Sequence, residues 1–377
     1  MIPALGEPGG AQRTMSYLLA ELVKRHCTTL LTLEASGAKP FFPLPEPLDQ
    51  IRIDKLGGAG LTRLYRVASR FWAIRHEVWR LSPDIVISFM DTMNTAALIS
   101  CAGLGIPVVV SERNDPHLHD IGSAKQALRD RVYPLARLVV VQTQRVASYF
   151  RPSLDQKLRV IGNPVPVSPI VASPHQSDER GRKCIITVGR LEPHKQIDQL
   201  INAFARLAGE WPDWDLVILG EGPSRGELEA QARAFGLGDR ISLPGIARDV
   251  FTELSRAHLM AFPSRYEGFP NALAEGLAAG LPAVGRRAVS GVEELILDGQ
   301  TGLLFAATGG ADDLAQSLSR LMGDPGMRKQ FGDAARRHMV NWSPSRIFSL
   351  WEDVLSEAAA RSLPDSLLGK RGSRLQN

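Results

Sequence analysis

Two glutamates lie eight residues apart in the stretch "SRYEGFPNALAEGLAAGLP", residues 264–282. Glu267 follows an apolar run, "HLMAFPS", that is typical of a buried strand, and Glu275 lies in a segment with helix start and stop signals from Asn271 to Gly280. A helix N-terminus beyond a parallel strand favours phosphate, and carboxylates accept hydrogen bonds from hydroxyl-rich ligands. We therefore predict that Glu275 binds a pair of ribose hydroxyls and that Glu267 faces a sugar.

Two cations form the second candidate group. Arg190 and Lys195 follow the apolar run "CIITVG" and precede the amphipathic segment "IDQLINAFARL". Two separated cations beside a helix N-terminus can share the charge of a diphosphate better than that of a single carboxylate. The alternative is that both are ordinary surface residues around a helix cap.

The elements that must position these residues alternate along the whole chain. Short runs rich in Val, Ile and Leu, such as "DIVISF", "IPVVVS", "RLVVVQT", "WDLVILGEG" and "TGLLF", are separated by helix-like segments. This alternation predicts parallel sheets with helices on both faces. A Pro- and Ser-rich stretch at about 163–182 is the expected interdomain linker, so the fold class is α/β with two doubly wound domains. Ligands are expected outside the carboxyl ends of the strands, in a cleft between the domains.

Composition excludes several classes of protein. The longest apolar run, "NTAALISCAGLGIPVVV", is too short and too interrupted to span a bilayer, and no secretion signal is expected at the N-terminus. Cys27, Cys101 and Cys184 are isolated, which gives no metal-site spacing and suits a reducing cytoplasm. Residues 1–166 carry 20 Lys and Arg against 14 Asp and Glu. This basic surplus is too modest, without a recognition motif, to predict nucleic-acid binding.

The second half resembles a known family. The order of "VGRLEPHK", "LGEGPSRGELE", "LPG", "AFPSRYEGFPNALAEGLAAGLPAVG" and "SGVEELILDGQTGLLF" resembles the C-terminal domain of the retaining GT-B glycosyltransferases of family 4. The resemblance implies a GT-B fold of two Rossmann-like domains that face a central cleft. It also implies that Arg190 and Lys195 hold the diphosphate of a nucleotide sugar, Glu275 its ribose, and Glu267 its reacting sugar. Glu267, Arg190 and Lys195 are the expected catalytic residues, and further donor contacts are expected from Gly268, Phe269, Pro270 and Asn271.

The first half resembles the N-terminal domain of the same family. "PALGEPGGAQRTMSYLLAELVKR" is similar to its glycine loop and first helix, with Gly10 expected to approach the donor and Gly9 the acceptor. Only a few residues precede this loop, so the first, central strand is expected to be truncated and the core opened. The expected domains are an acceptor-binding domain over 1–166, a nucleotide-sugar domain over 167–342, a helix over 343–360 that packs back on the first domain, and a disordered tail over 361–377.

One departure concerns a histidine that many members carry where this chain has Phe89. The run "SFMDTMNTAALIS…IPVVVSERNDP" instead looks like a subgroup that glycosylates lipid-linked or polymer precursors. Asp91, Arg113 and Asn114 are the acceptor-side candidates, and Arg113 and Asn114 are expected to contact either the donor phosphate or the acceptor. The alternative is a loop ion pair with Glu112 or Asp115. His117 and His119 follow in the same loop.

The segment at residues 61–81 predicts an amphipathic helix with Arg63, Arg66 and Arg70 on one side, interleaved with Trp72 and Trp79. Such a helix can contact an anionic membrane surface, although packing on a sheet is the more common role.

The resemblance, together with these residues, implies a metal-independent, cofactor-free, retaining glycosyltransferase. The expected donor is a UDP-sugar, the acceptor a lipid-linked precursor, polysaccharide or glycolipid, and the location the cytoplasm or the inner face of the membrane. A GT-B sugar-nucleotide epimerase or phosphorylase, and a nucleotide-sugar-binding protein without turnover, are the alternatives.

Overall fold

The computed structural model describes residues 1–6, 9–35, 37–53 and 63–360, and at 63–66 it describes only the backbone. The chain divides into two compact units. The N-terminal unit comprises Met1–Pro164 and the segment from Ser345, and the C-terminal unit comprises Val165–Pro344. The tail predicted over 361–377 lies outside the described residues.

The N-terminal unit alternates strands and helices, as the apolar runs predict. Its elements before residue 164 are, in chain order, α1 (Gly10–Leu22), β1 (Thr29–Thr32), β2 (Asp49–Arg52), α2 (Arg63–Leu81), β3 (Val86–Phe89), α3 (Asp91–Cys101), β4 (Val108–Ser111), α4 (Ser123–Val132), β5 (Leu138–Val141), α5 (Gln144–Leu154) and β6 (Leu158–Val160). Strands β3, β4, β5 and β6 form one parallel sheet in that order, and β1 pairs in parallel with β2. Strands β4 and β5 are buried at every position because both faces of the sheet are covered.

The first three residues occupy the position where an open core was expected. Ile2 forms a parallel bridge with Thr32 of β1, and the backbone oxygen of Met1 accepts a hydrogen bond from the backbone nitrogen of Phe89 at 3.0 Å. The amino group of Met1 in turn donates to the backbone oxygen of Ile87 at 2.6 Å. Burial lowers the pKa of this amino group to about 5. The segment therefore lies between β1 and β3. The prediction of an opened core is wrong, because these residues fill the position of the central strand.

The C-terminal unit holds the second sheet. Its elements are β7 (Lys183–Val188), α6 (Ile197–Leu207), β8 (Trp214–Leu219), α7 (Arg225–Ala234), β9 (Ile241–Gly245), α8 (Val250–Arg256), β10 (Leu259–Phe262), α9 (Asn271–Ala278), β11 (Ala283–Arg286), α10 (Val292–Leu295), β12 (Gly302–Phe305), α11 (Ala311–Gly323) and α12 (Pro325–Met339). The strand order is β12-β11-β10-β7-β8-β9, and the pairings are parallel. The chain winds outward from β7 in one direction and from β10 in the other, so the topology reverses between these two strands.

Two apolar clusters cover the faces of this sheet. One packs α6 and α11 on the side chains of Ile185, Leu216 and Leu259, and the other packs α9 and α12 on Ile186 and Met260. The alternate side chains of β7 and β10 thus point to opposite, fully covered faces. This rigid double layer fixes the loops that leave the carboxyl ends of the strands.

The chain ends its described part with α13 (Pro344–Ala360), which packs in the N-terminal unit. Trp351 stacks on Phe89 with ring centroids 5.8 Å apart, and Glu357 pairs with Arg159 at 2.5 Å. Within the described residues, none of the helices is long and apolar enough to cross a bilayer.

Candidate functional site

The predicted diphosphate and sugar residues lie at the carboxyl ends of β7 and β10. These strands are neighbours, with Ile185 and Ile186 of β7 opposite Leu259 and Met260 of β10. The loop after β7 carries Arg190 and Lys195, and the loop after β10 carries Glu267 and leads into α9. Ligands of doubly wound sheets bind where the strand order reverses, which is this point of the C-terminal sheet.

Lys195 and Glu267 form an ion pair across the two loops. The Nζ atom of Lys195 lies 2.5 Å from Oε1 of Glu267. The Lys195 side chain is 17% exposed and the Glu267 side chain 12% exposed. The stem of Lys195 runs along Gly189, and its ammonium group lies 5.6 Å from the centre of the Phe262 ring. The sequence predicted both residues for the site but assigned them to different parts of the ligand; the structure brings the two charges together.

A second chain of contacts extends from Arg190. Its guanidinium lies 3.1 Å from Oε1 of Glu192, while the other oxygen of that carboxylate lies 3.2 Å from Nδ1 of His194. The His194 ring stacks on Tyr266 at 4.6 Å. Burial lowers the pKa of His194, and the nearby Lys195 lowers it further. Arg190 is the more exposed cation, with 61% of its side chain accessible, so a ligand can reach it directly.

Close backbone approach holds the β7 loop in place. Gly220 has φ +140, and a Cβ atom there would lie 1.8 Å from the backbone oxygen of Gly189. At Gly222 a Cβ atom would lie 2.4 Å from the backbone oxygen of Leu191. The loop after β8 can therefore lie directly on the loop that carries Arg190 only because both positions are glycine.

Arg286, at the end of β11, binds the loops that follow the neighbouring strands of the C-terminal sheet. Its Nη2 atom donates to Oε1 of Gln196 at 2.6 Å, its Nη1 to the backbone oxygens of Ala307 and Gly309, and its Nε to that of Pro263. Gln196 has φ 52, a left-handed conformation, and it immediately precedes α6. Arg286 is thus a buried clamp that connects the ends of β7, β10 and β12.

The helix predicted from Asn271 is α9, and it ends close to the predicted Gly280, which has φ +91. Glu275 lies one turn inside the helix and is buried, with 4% of its surface exposed. Phe269 and Pro270 are buried and Gly268 is half-buried in the loop before the helix. A Cβ atom at Gly276 would lie 2.2 Å from the sulfur of Met260, so the small residues of α9 let it pack closely on β10.

The carboxyl edge of the N-terminal sheet holds a buried arginine, Arg113. Arg113 follows β4 and is 7% exposed. Its guanidinium lies 3.9 Å from the centre of the Phe89 ring, and its Nη1 donates to Oδ1 of Asn163 at 2.8 Å. The side-chain amide of Gln142, after β5, lies 2.7 Å from the same oxygen. The ends of four adjacent strands therefore meet at this arginine.

Glu112 does not pair with the Arg113 guanidinium. Its Oε2 accepts a hydrogen bond from the Tyr133 hydroxyl at 2.9 Å, and its Oε1 accepts one from the backbone nitrogen of Arg113. Burial raises the pKa of Glu112 to about 7, and the nearby Asp91 raises it further. Asp91, an acceptor-side candidate, is buried at the start of α3 and accepts from the backbone of Thr92.

The alternative ion pair from Arg113 to Asp115 is not formed. Asp115 instead lies 2.9 Å from His117 and 3.2 Å from Arg145. Asn114 is half-buried in the same loop. His117 is therefore bound to Asp115 within its own loop.

The glycine loop and the basic helix lie elsewhere in the N-terminal unit. Gly9 is extended, with φ −157, and Gly10 is the first residue of α1. On α2 the indole rings of Trp72 and Trp79 are 67% and 66% exposed, and His76 stacks on Trp72 at 5.2 Å. Residues 61 and 62 of the predicted helix, and the side chains of Arg63 and Arg66, lie outside the described part.

Sequence reasoning missed several residues of these edges: Glu192, His194, Gln196, Tyr266, Arg286, Phe89 as a stacking surface, Gln142 and Asn163. His194 and Tyr266 each adjoin a predicted residue, so proximity in the sequence could have indicated them. Arg286, Gln142 and Asn163 come from strand ends distant in the chain, and only the strand order brings them to the sites.

Comparison with known proteins fits this geometry. Residues 173–338 match the model of glycosyl transferases group 1, and residues 8–169 match that of glycosyltransferase family 4. An exopolysaccharide phosphotransferase of Streptomyces coelicolor is 32% identical over 98% of this chain, which spans 41% of the length of that protein.

Two further proteins are similar over almost their full length. The Campylobacter jejuni enzyme named GalNAc-alpha-(1->4)-GalNAc-alpha-(1->3)-diNAcBac-PP-undecaprenol alpha-1,4-N-acetyl-D-galactosaminyltransferase is 26% identical, covering 93% of this chain and 95% of its own. The structure of HepE from Anabaena in complex with UDP and glucose superposes with a TM-score of 0.74 at 17% identity, over 94% of this chain and 98% of HepE. The chain therefore belongs to the group 1, family 4 glycosyltransferases and has the GT-B fold of two Rossmann-like domains.

Proposed function

We propose that this protein is a retaining hexosyltransferase that moves a sugar from a nucleotide diphosphate sugar, with a UDP-sugar as the expected donor, to a lipid-linked or saccharide acceptor. One observation carries the proposal: Lys195 and Glu267 meet in an ion pair at the reversal point of the C-terminal sheet. The cation matches a diphosphate, and the carboxylate matches a sugar that develops positive charge.

The Lys195–Glu267 pair also indicates how a donor would bind. A donor diphosphate competes with Glu267 for the ammonium group of Lys195, and Arg190 supplies a second, exposed cation. When the diphosphate takes Lys195, the carboxylate of Glu267 loses its partner and becomes available to the sugar. Binding of the donor and placement of the catalytic carboxylate are then one event.

Transfer with retention proceeds on one face of the sugar. The bond from the anomeric carbon to the β-phosphate oxygen breaks, and the acceptor oxygen bonds to the same carbon on the same face. The proton of the acceptor hydroxyl passes to the departing phosphate oxygen. Glu267 stabilises the positive charge at the anomeric carbon, and Lys195 and Arg190 stabilise the negative charge on the diphosphate, so the proposal requires no metal ion.

The remaining candidates hold the donor and the acceptor in place. Glu275, buried in α9, accepts hydrogen bonds from the ribose hydroxyls, and the loop of Gly268, Phe269, Pro270 and Asn271 contributes backbone contacts to the sugar and phosphates. In the N-terminal unit, Gly10 approaches the donor. Gly9, Asp91, Arg113 and Asn114 serve the acceptor.

The comparisons support the classes of donor and acceptor. HepE, which shares the fold, was solved with UDP and glucose, and the name of the C. jejuni relative specifies an acceptor linked through a diphosphate to undecaprenol. By analogy, the acceptor proposed here is a lipid-linked saccharide. The reaction then takes place at the cytoplasmic face of a membrane.

Helix α2 offers a surface for peripheral membrane contact. Trp72 and Trp79 are seven residues apart and both exposed, so they lie on one side of the helix, with His76 between them. Exposed tryptophans favour the interface of a bilayer, and Arg70 and Arg80 add positive charge on the same helix.

The test is a screen of nucleotide sugars for UDP release with a membrane extract as acceptor source. We expect release from a UDP-sugar only when extract is present, and loss of release in Glu267→Gln. Glu221→Gln is the matched control, because Glu221 also lies at a strand end of the same sheet but is itself exposed and pairs with Arg225. Product formed from the donor alone would indicate an epimerase, and UDP binding with no release under any condition would indicate a protein without turnover.

A further inference from the structure

The guanidinium of Arg113 has one edge without a hydrogen-bond partner. Its face lies on Phe89, and its Nη1 is bound to Asn163. The Nε and Nη2 atoms are both closed to solvent, and neither has a partner among the described residues. These two nitrogens point the same way from the planar group, which is the arrangement that binds two oxygens of a phosphate or carboxylate at once.

The charge of this arginine is also poorly compensated. Among the described residues no carboxylate forms an ion pair with it, since Glu112 is directed to Tyr133 and Asp115 to Arg145. Burial lowers the pKa of Arg113 to about 9, because it holds the charge out of water, although the nearby Glu112 acts to raise this pKa. Buried charges are ordinarily paired, so an arginine left in this state has a place for an anion.

Another buried arginine shows how this chain satisfies a structural guanidinium. Arg328 is 1% exposed, and it donates through Nε to the backbone oxygen of Pro174 and through Nη1 to those of Leu321 and Met322. Backbone carbonyl oxygens thus act as the hydrogen-bond partners of this guanidinium. Arg113 lacks such carbonyl partners on its Nε–Nη2 edge.

We propose that the Nε–Nη2 edge of Arg113 binds a phosphate oxyanion of the acceptor. This inference rests on the proposed function, because it takes the donor diphosphate to be held by Arg190 and Lys195 of the C-terminal unit. The acceptor class is therefore one that carries a phosphate or diphosphate. Because both nitrogens are closed to solvent, binding includes a local side-chain movement, and its cost is contained in the measured Kd.

The experiment uses calorimetry on the full chain saturated with UDP, with inorganic pyrophosphate as the probe of a second anion site. We expect the wild type to bind pyrophosphate under these conditions and Arg113→Met to bind it at least about tenfold more weakly. The Kd for UDP is expected to be the same in both proteins. Arg113→Lys, which keeps the charge but not the two-pronged edge, is expected to be intermediate.

Arg137→Met is the matched control. Arg137 precedes β5 at the opposite end of the same sheet and also has an Nη2 atom without a partner, but it is only half-buried. Its removal should leave pyrophosphate binding unchanged. A purely structural role for Arg113 predicts a lower melting temperature in Arg113→Met, whereas a ligand site predicts an equal or higher one, since a buried charge without an ion-pair partner is removed.

Four results would overturn the proposal: no pyrophosphate binding to the UDP-saturated wild type, equal binding to Arg113→Met, equal loss in Arg137→Met, or loss of UDP binding in Arg113→Met. The last would assign the arginine to the phosphates of the donor. If the wild type binds no nucleotide or nucleotide sugar at all, the proposed function fails separately, and the pyrophosphate titration without UDP still tests Arg113. If Arg113→Met does not fold, the same comparison with Arg113→Lys decides.

Discussion

In the C-terminal unit the cation at the carboxyl edge of the sheet is paired: Lys195 lies 2.5 Å from Glu267, and both side chains reach solvent. In the N-terminal unit the cation at the corresponding edge, Arg113, is buried against Phe89 with a neutral partner, Asn163. A paired cation must exchange its carboxylate for a ligand anion, and the exchange releases the carboxylate. An unpaired cation binds an anion without releasing anything. The first arrangement suits a group that takes part in the reaction, and the second suits a group that only holds a substrate.

Replacing Glu267 is expected to have the largest effect. Glu267→Gln keeps the size of the side chain but removes the charge that stabilises the sugar in the transition state, so kcat should fall about 100-fold or more. The KM for the donor should change much less. Steady-state kinetics with circular dichroism as a folding control measures this, with Glu221→Gln as the control substitution. Full kcat in Glu267→Gln would show that the paired carboxylate is not catalytic.

A buried acid and a buried base, one in each unit, give opposite pH dependence of stability. Glu112 has a pKa of about 7 in the folded state against an ordinary 4.5, so between these values the folded state holds more protons and stability falls as pH rises, by roughly 3 kcal/mol. Glu112→Gln should therefore gain stability relative to wild type across this window. Denaturant unfolding from pH 4.5 to 8 tests it; a constant difference would refute the assignment.

His258 is expected to make stability change with pH in the opposite direction. Burial lowers its pKa to about 4 from an ordinary 6.5, and its Nδ1 accepts a hydrogen bond from the backbone nitrogen of Cys184 at 3.0 Å. Between these pH values the unfolded state holds more protons, so this residue makes stability rise with pH. The same unfolding series on His258→Gln should remove that rise. If stability of the variant follows the wild type from pH 4 to 6.5, the histidine is not held neutral by the fold.

Removing the paired cation is expected to have the next largest effect. Lys195→Met should weaken donor use by about 10- to 100-fold, because a charge-assisted contact to the diphosphate contributes roughly 1.5–3 kcal/mol. Arg190→Ala should act in the same direction, with the smaller effect of the two, because Arg190 is the more exposed. Donor kcat/KM measures both. Near-normal kcat/KM in both variants would show that these two cations do not bind the diphosphate.

The smallest effect is expected at Glu275. Its proposed partner, the ribose, does not react, so Glu275→Gln should raise the donor KM by about tenfold or less while kcat is retained. Because Glu275 is buried in α9, the melting temperature must be measured beside the kinetics. An unchanged KM in a folded variant would contradict the assignment to the ribose.

The two units also differ in how far their sequences predict them. Around Glu267 the strand, the exit loop and α9 follow each other directly, so local signals predicted the helix from Asn271 and the pair of glutamates. The link between Lys195 and Glu267 required the strand order, because β7 and β10 become neighbours only through the reversal of the sheet.

In the N-terminal unit the decisive contacts join distant parts of the chain. Asn163 reaches Arg113 from 50 residues away, and Trp351 reaches Phe89 from the last helix. The central position filled by Met1 to Pro3 was equally hidden, since three residues carry no strand periodicity. Local patterns predicted the strands of this sheet but not the partners at its edge.

We propose that the donor diphosphate binds at the Lys195–Glu267 ion pair. The most direct test is calorimetric titration of UDP, without sugar, into wild type and Glu267→Gln. If Glu267 competes with the diphosphate for Lys195, removal of its charge should tighten UDP binding several-fold even though the same variant has lost transfer. If Glu267→Gln binds UDP no more tightly than the wild type, the diphosphate does not lie at this pair and the proposed donor site is wrong.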